Sequence, residues 1–110
     1  MLKSDIKREI LERLKTEINL YKVILFGSLA YGRPETDSDV DILVVTGENR
    51  VPGSYKEKSD NYLKISRLLR DLNKKIPIDI IVMTKTQWQS FIEKKSGFAR
   101  EILEHGIELI

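Results

Sequence analysis

The 110 residues are 41% hydrophobic and 33% charged, enough apolar surface for one core and too much for a disordered segment. Nineteen Lys and Arg against 17 Asp and Glu leave a net charge of only +2, which argues against direct nucleic-acid binding by electrostatics alone. With no cysteine and a single histidine, His105, the composition excludes disulfides, zinc ribbons, thiol catalysis and any serine or cysteine triad.

In chain order, Ile6, Ile10, Leu11, Leu14 and Ile18 recur at helical spacing behind Ser4, predicting an amphipathic helix over residues 5 to 19. Val23 to Phe26 is a continuous apolar run ended by Gly27, the pattern of a short strand buried on both faces. Ser28 suits the cap of a short turn that Gly32-Arg33-Pro34 ends. Val40 to Val45 follows as a strand with Asp39, Asp41 and Leu43 on one face. Thr46 to Ser54 reads as a loop, and residues 55 to 75 as one long helix whose stripe is Tyr62, Ile65, Leu69, Leu72 and Ile76. Ile78 to Met83 alternates as a third strand with Asp79 near its start. Thr84 with Gln87 three residues on forms a capping box for a helix to Lys94; Ser96 caps another that stops at Gly106; Ile107 to Ile110 adds a small edge strand. The expected fold is α/β (α+β): a mixed sheet of three or four strands, helices packed on one side, and carboxylates at its open edge. The whole of residues 1–110 is expected to form one domain. Its start is amphipathic and charged rather than a secretory leader, and its apolar runs are far shorter than the ~20 residues that cross a bilayer, so the expected location is cytoplasmic, away from the membrane.

The chemistry is concentrated in GSLAYGRPETDSDVD, where a strand-ending Gly27-Ser28 is joined to Asp39-Val40-Asp41 across ten residues. Glycine allows a tight turn and close approach of a phosphate to the backbone, amides opening a helix favour an anion, and the serine hydroxyl can donate. Aspartates at i and i+2 of a strand project side by side and suit a hard cation such as magnesium. A third carboxylate on a neighbouring strand, for which Asp79 has the matching parity, would complete a set able to hold two ions. No Gly-Lys-Ser/Thr ending follows, so a nucleoside-triphosphatase phosphate loop is discarded.

Gly27-Ser28, ten residues, then Asp39-Val40-Asp41 resembles the signature of the DNA polymerase beta-like nucleotidyltransferase superfamily, and nearly the full length resembles its minimal nucleotidyltransferase (MNT) family. The third aspartate of that family falls on Asp79. The resemblance implies a catalytic and metal-binding set of Asp39, Asp41 and Asp79, a nucleotide held by Gly27 and Ser28, two Mg2+ ions, and ATP as substrate. It also implies a role: an antitoxin that transfers AMP to a tyrosine of a HEPN-domain ribonuclease toxin, as a hetero-oligomer with that toxin. Leu29 and Tyr31 stand where the family often carries arginine, a departure that touches phosphate contacts and leaves the metal ligands intact. Two other outcomes compete with protein adenylylation: transfer to a small molecule, and a non-catalytic antitoxin acting by binding alone.

Other residues invite plainer readings. His105 beside Gly106 suits a helix C-terminal cation. Lys74-Lys75 and Lys94-Lys95 suit solvated helix ends or cations for phosphate or a partner. Trp88 and Phe91 lie one turn apart and suit either core packing or a protein interface; spacing does not choose between them.

Overall fold

A computed structural model describes residues 4–27 and 40–110. The amphipathic start forms α1 (Ser4–Glu17), with Ile10 and Leu14 fully buried. The apolar run after it forms β1, which begins earlier than the run alone predicts, at Leu20–Phe26. β2 (Val40–Thr46) is buried from Ile42 onward. The helix expected over 55 to 75 is two helices, α2 (Tyr55–Leu68) and α3 (Arg70–Lys75). They break at Leu69, whose backbone (φ −103°, ψ 6°) leaves the helical region and whose amide is shared by the Ile65 and Ser66 carbonyls at 3.3 Å. Both pieces still bury one stripe, Ile65, Leu69 and Leu72, so the hydrophobic period runs across the break without marking it.

Ser54 caps α2 by accepting from the Glu57 amide at 3.1 Å, and after α3 the Asn73 Oδ1 accepts from the Ile78 amide at 2.7 Å, fastening the turn into β3 (Ile78–Thr84). The capping box at Thr84 and Gln87 is present in both directions and opens α4 (Lys85–Glu93). Ser96 caps α5 (Gly97–His105), and β4 (Ile107–Glu108) closes the order.

The strands form one mixed sheet in the order β3-β2-β1-β4, with β1 antiparallel to β2 and β4, and β2 parallel to β3. One expectation fails: helices cover both faces. Val23, Leu25, Ile42 and Val44 pack with Ile10, Leu14, Ile65 and Leu69, whereas their alternating neighbours Ile24, Leu43 and Val45 pack with Trp88 and Ile102. The physical reason lies in the strands, because a run apolar at every position presents two greasy faces and each needs a cover. Thus α1, α2 and α3 lie on one side, and α4 and α5 on the other. Trp88 is 3% exposed and therefore core. Among the described residues, no helix is long and apolar enough to cross a membrane.

Candidate functional site

The end of β1 and the beginnings of β2 and β3 meet at one end of the sheet's strands. Phe26 is paired with Asp41 across the antiparallel ladder, and Asp41 is paired with Asp79 across the parallel one. Asp41 and Asp79 share parity with Leu43 and Ile81, so both carboxylates belong to the face that α4 and α5 cover. That cover extends as far as Leu43, which is wholly buried; one step earlier along the strands Asp41 is half-buried and Asp79 exposed. The sheet thus carries two acids side by side where its apolar cover ends.

Gly27 explains why glycine stands at the turn. Its φ of +77° lies in the left-handed region, and a Cβ built there would collide with Asp41 Oδ2 and come within 3.1 Å of its Cγ. The backbone therefore lies directly against the Asp41 carboxylate. Behind the turn, Phe26 makes an edge contact with Phe98 (centroids 5.6 Å), Phe98 with Phe91 (5.8 Å), and Phe91 with Trp88 (5.8 Å). This aromatic chain ties the end of β1 to α4 and α5, and it settles the Trp88 and Phe91 pair as packing.

The structure brings Gly27, Asp41 and Asp79 together. Ser28 and Asp39 lie outside the described residues, as does the turn expected after Ser28. Among the described residues no group of three or more His, Cys, Asp or Glu side chains converges on one point. Adjacent oxygen-only donors on neighbouring strands fit a hard divalent ion. His105 lies in the last turn of α5, exposed, beside Glu104. Lys74-Lys75 and Lys94-Lys95 stand at exposed helix ends, as the reading of them as solvated ends expects. What pattern reading missed is a groove of about 570 Å³ along the outer edge of β3, flanked by α2. Tyr62, expected in the buried stripe of the long helix, is instead 44% exposed and lines this groove with Tyr55, Lys58 and Ser59, because that part of α2 runs past β3, which has no outer neighbour strand among the described residues.

The nucleotidyltransferase domain family model matches residues 7–109. The protein named "Putative protein adenylyltransferase MJ0141", from Methanocaldococcus jannaschii, is 35% identical over 98 residues, covering 89% of this chain and 92% of that protein. Among solved structures, a toxin-antitoxin with AMP-PNP superposes with a TM-score of 0.57 at 19% identity, over 94% of this chain and 72% of the other. A putative nucleotidyltransferase from Sulfolobus solfataricus superposes at 0.56 and 24% identity, over 94% and 74%. At these identities the solved structures establish the fold alone, a mixed sheet with helices.

Proposed function

The chain belongs to the nucleotidyltransferase domain family, and on that footing we propose that it transfers AMP from ATP to a tyrosine hydroxyl of a HEPN-domain ribonuclease, as the antitoxin of that toxin. The observation that carries the reading is the register of Asp41 opposite Asp79, with the Gly27 backbone pressed against Asp41. The name of the Methanocaldococcus relative supports a protein acceptor, and the toxin-antitoxin with AMP-PNP supports an adenine nucleotide and a toxin partner.

Asp41 and Asp79, with Asp39, would hold Mg2+, most simply as two ions. When bound, magnesium supplies positive charge against the triphosphate and favours ionisation of the acceptor hydroxyl. The protein's own part is orientation and proton handling. Gly27 would let the turn's backbone approach phosphate without a side chain of its own, and Ser28 would add a hydroxyl donor. Half-buried Asp41 is held by its place between two strands, so its carboxylate is positioned before substrate arrives. Exposed Asp79 faces the side from which an acceptor must come. As the acceptor oxygen bonds to the α-phosphorus, the bond to pyrophosphate breaks and the hydroxyl proton passes to the Asp79 carboxylate. The whole of residues 1–110 acts as one minimal domain in the cytoplasm, and the acceptor pocket is completed by the partner.

The test is incubation with labelled ATP, magnesium and the protein encoded by the neighbouring gene, using native protein and the Asp39→Asn, Asp41→Asn variant. Label on the partner with the native protein and none with the variant is the expected result. Full neutralisation by the variant, without labelling by either protein, would replace catalysis with binding alone.

A further inference from the structure

We propose that Phe98, in the first turn of α5, is the platform on which the base of the nucleotide stacks, so that the site takes purine nucleoside triphosphates ahead of pyrimidine ones. This rests on the nucleotide reading above and names how the base is held.

Phe26, Asp41 and Asp79 stand in neighbouring strands at one level of the ladders, on the face that α4 and α5 cover. Asp41 Oδ2 lies where a Gly27 Cβ would stand, so this carboxylate rests against the end of β1, beside Phe26. The Phe26 ring in turn makes its edge contact with Phe98, centroids 5.6 Å apart. Phe98 is thus separated from the Asp41 strand by one ring. A nucleotide whose phosphates lie at Asp41 and the Gly27 turn carries its base one ribose away, within reach of Phe98.

Exposure sets Phe98 apart from the rings it touches. Trp88 is 3% exposed, Phe91 and Phe26 are half-buried, and Phe98 is 41% exposed, so the line of rings begins in the core and surfaces beside the site. Both of its ring contacts are crossed, at 77° to Phe26 and 72° to Phe91, so among the described residues no ring lies parallel to Phe98. A parallel, offset partner is what a base supplies. The ring's backbone is also fixed before a ligand arrives. Lys95, at φ 51° the one left-handed non-glycine among the described residues, lets the chain reverse from α4 into α5 between Lys94 and Ser96. Ser96 Oγ then accepts from the Ala99 amide at 3.1 Å, closing the turn that carries Phe98. Little order remains to be imposed on binding. A ring face offers area and no hydrogen-bond pattern, so it ranks bases by the surface they cover, and a purine covers more than a pyrimidine.

The experiment measures binding of ATP, CTP and inorganic tripolyphosphate by calorimetry, with magnesium and without acceptor, to the native chain and to Phe98→Leu and Phe98→Tyr variants. Leucine keeps an apolar side chain against Phe26 and Phe91 and removes the ring; tyrosine keeps the ring. Phe98→Leu is expected to weaken ATP about tenfold, to bring ATP and CTP together, and to leave tripolyphosphate unchanged, whereas Phe98→Tyr binds all three as native does. Fluorescence of 2-aminopurine riboside triphosphate is expected to be quenched on the native and tyrosine proteins and not on the leucine one. Unchanged ATP binding by Phe98→Leu overturns the proposal, and so does an equal loss of tripolyphosphate, which would mark a disturbed phosphate site. Absence of quenching on native protein overturns it whatever the variants do. The transfer reading fails separately. Native protein that binds ATP with this dependence on Phe98, yet leaves the protein from the neighbouring gene unlabelled, loses transfer and keeps the platform. Native protein that labels it, with the same KM for ATP in Phe98→Leu, keeps transfer and loses the platform.

Discussion

Replacing Gly27 by alanine places the largest test on the smallest atom. The residue holds φ at +77°, a region that costs an L-residue about 1–2 kcal/mol. The added Cβ also collides with Asp41 Oδ2, and Asp41 is fixed between Phe26 and Asp79 in the sheet, so relief must come from turning the carboxylate or shifting the β1 end. Overpacking of that kind adds about 1–3 kcal/mol, giving a total of roughly 2–5 kcal/mol. For 110 residues, about 4 °C of Tm accompanies each kcal/mol, so Gly27→Ala is expected to melt ~8–20 °C below native. Activity should fall further than stability implies, because a misplacement of about 1 Å in a positioned group can cost ~100-fold. Gly97 supplies the control: a Cβ there meets nothing within 4 Å, and in the first turn of α5 an alanine should stabilise by about 0.4–1 kcal/mol. Differential scanning calorimetry of the two variants, with nucleotidyl transfer measured below both transitions, makes the comparison. Gly27→Ala protein as stable and as active as native would refute the claim that backbone and Asp41 are packed into one unit.

Magnesium is expected to raise the native Tm, by ~2.7 kcal/mol of stability at a hundredfold excess over Kd, and to leave an Asp41→Asn, Asp79→Asn variant unmoved; an equal rise in both would place the ion elsewhere. Without magnesium, Asp79→Asn alone should unfold within about 0.5 kcal/mol of native in urea, since the side chain is exposed. Ile102→Ala, in the core beneath α5, should cost about 2–5 kcal/mol in the same assay, and a cost near zero would remove α5 from that face. Thr84→Ala deletes the acceptor of the Gln87 amide and should cost ~1 kcal/mol. Thr46 Oγ1 is buried and makes no hydrogen bond among the described residues, so Thr46→Val is expected to raise stability by about 1 kcal/mol.

Much of this fold is readable from periodicity and caps. The Thr84 and Gln87 box, the Ser96 cap and the Gly106 stop are local chemistry, and the structure places each where the side chains dictate. The parity of Asp79 with Asp41 is likewise local, since strand alternation fixes the face before any partner strand is known; that the two strands are parallel neighbours is tertiary, and alternation carries no sign of it. The break at Leu69 is invisible in sequence because Ile65, Leu69 and Leu72 keep one period through it. The expectation of a single-sided sheet neglected a signal that was present: Val23 to Phe26 is apolar at every position, which requires cover on both faces. The groove along β3 was hidden for a different reason. Its apolar stripe on α2 borders the core stripe, and only the strand order shows that it faces an open edge.

The most direct test of nucleotidyl transfer is the fate of the two ends of ATP. ATP labelled at the α-phosphate is expected to leave label on the partner protein, with unlabelled pyrophosphate released, and ATP labelled at the γ-phosphate to leave none. Label carried over from the γ-phosphate, or equal transfer by the Asp39→Asn, Asp41→Asn variant, would contradict a carboxylate-centred transfer of AMP.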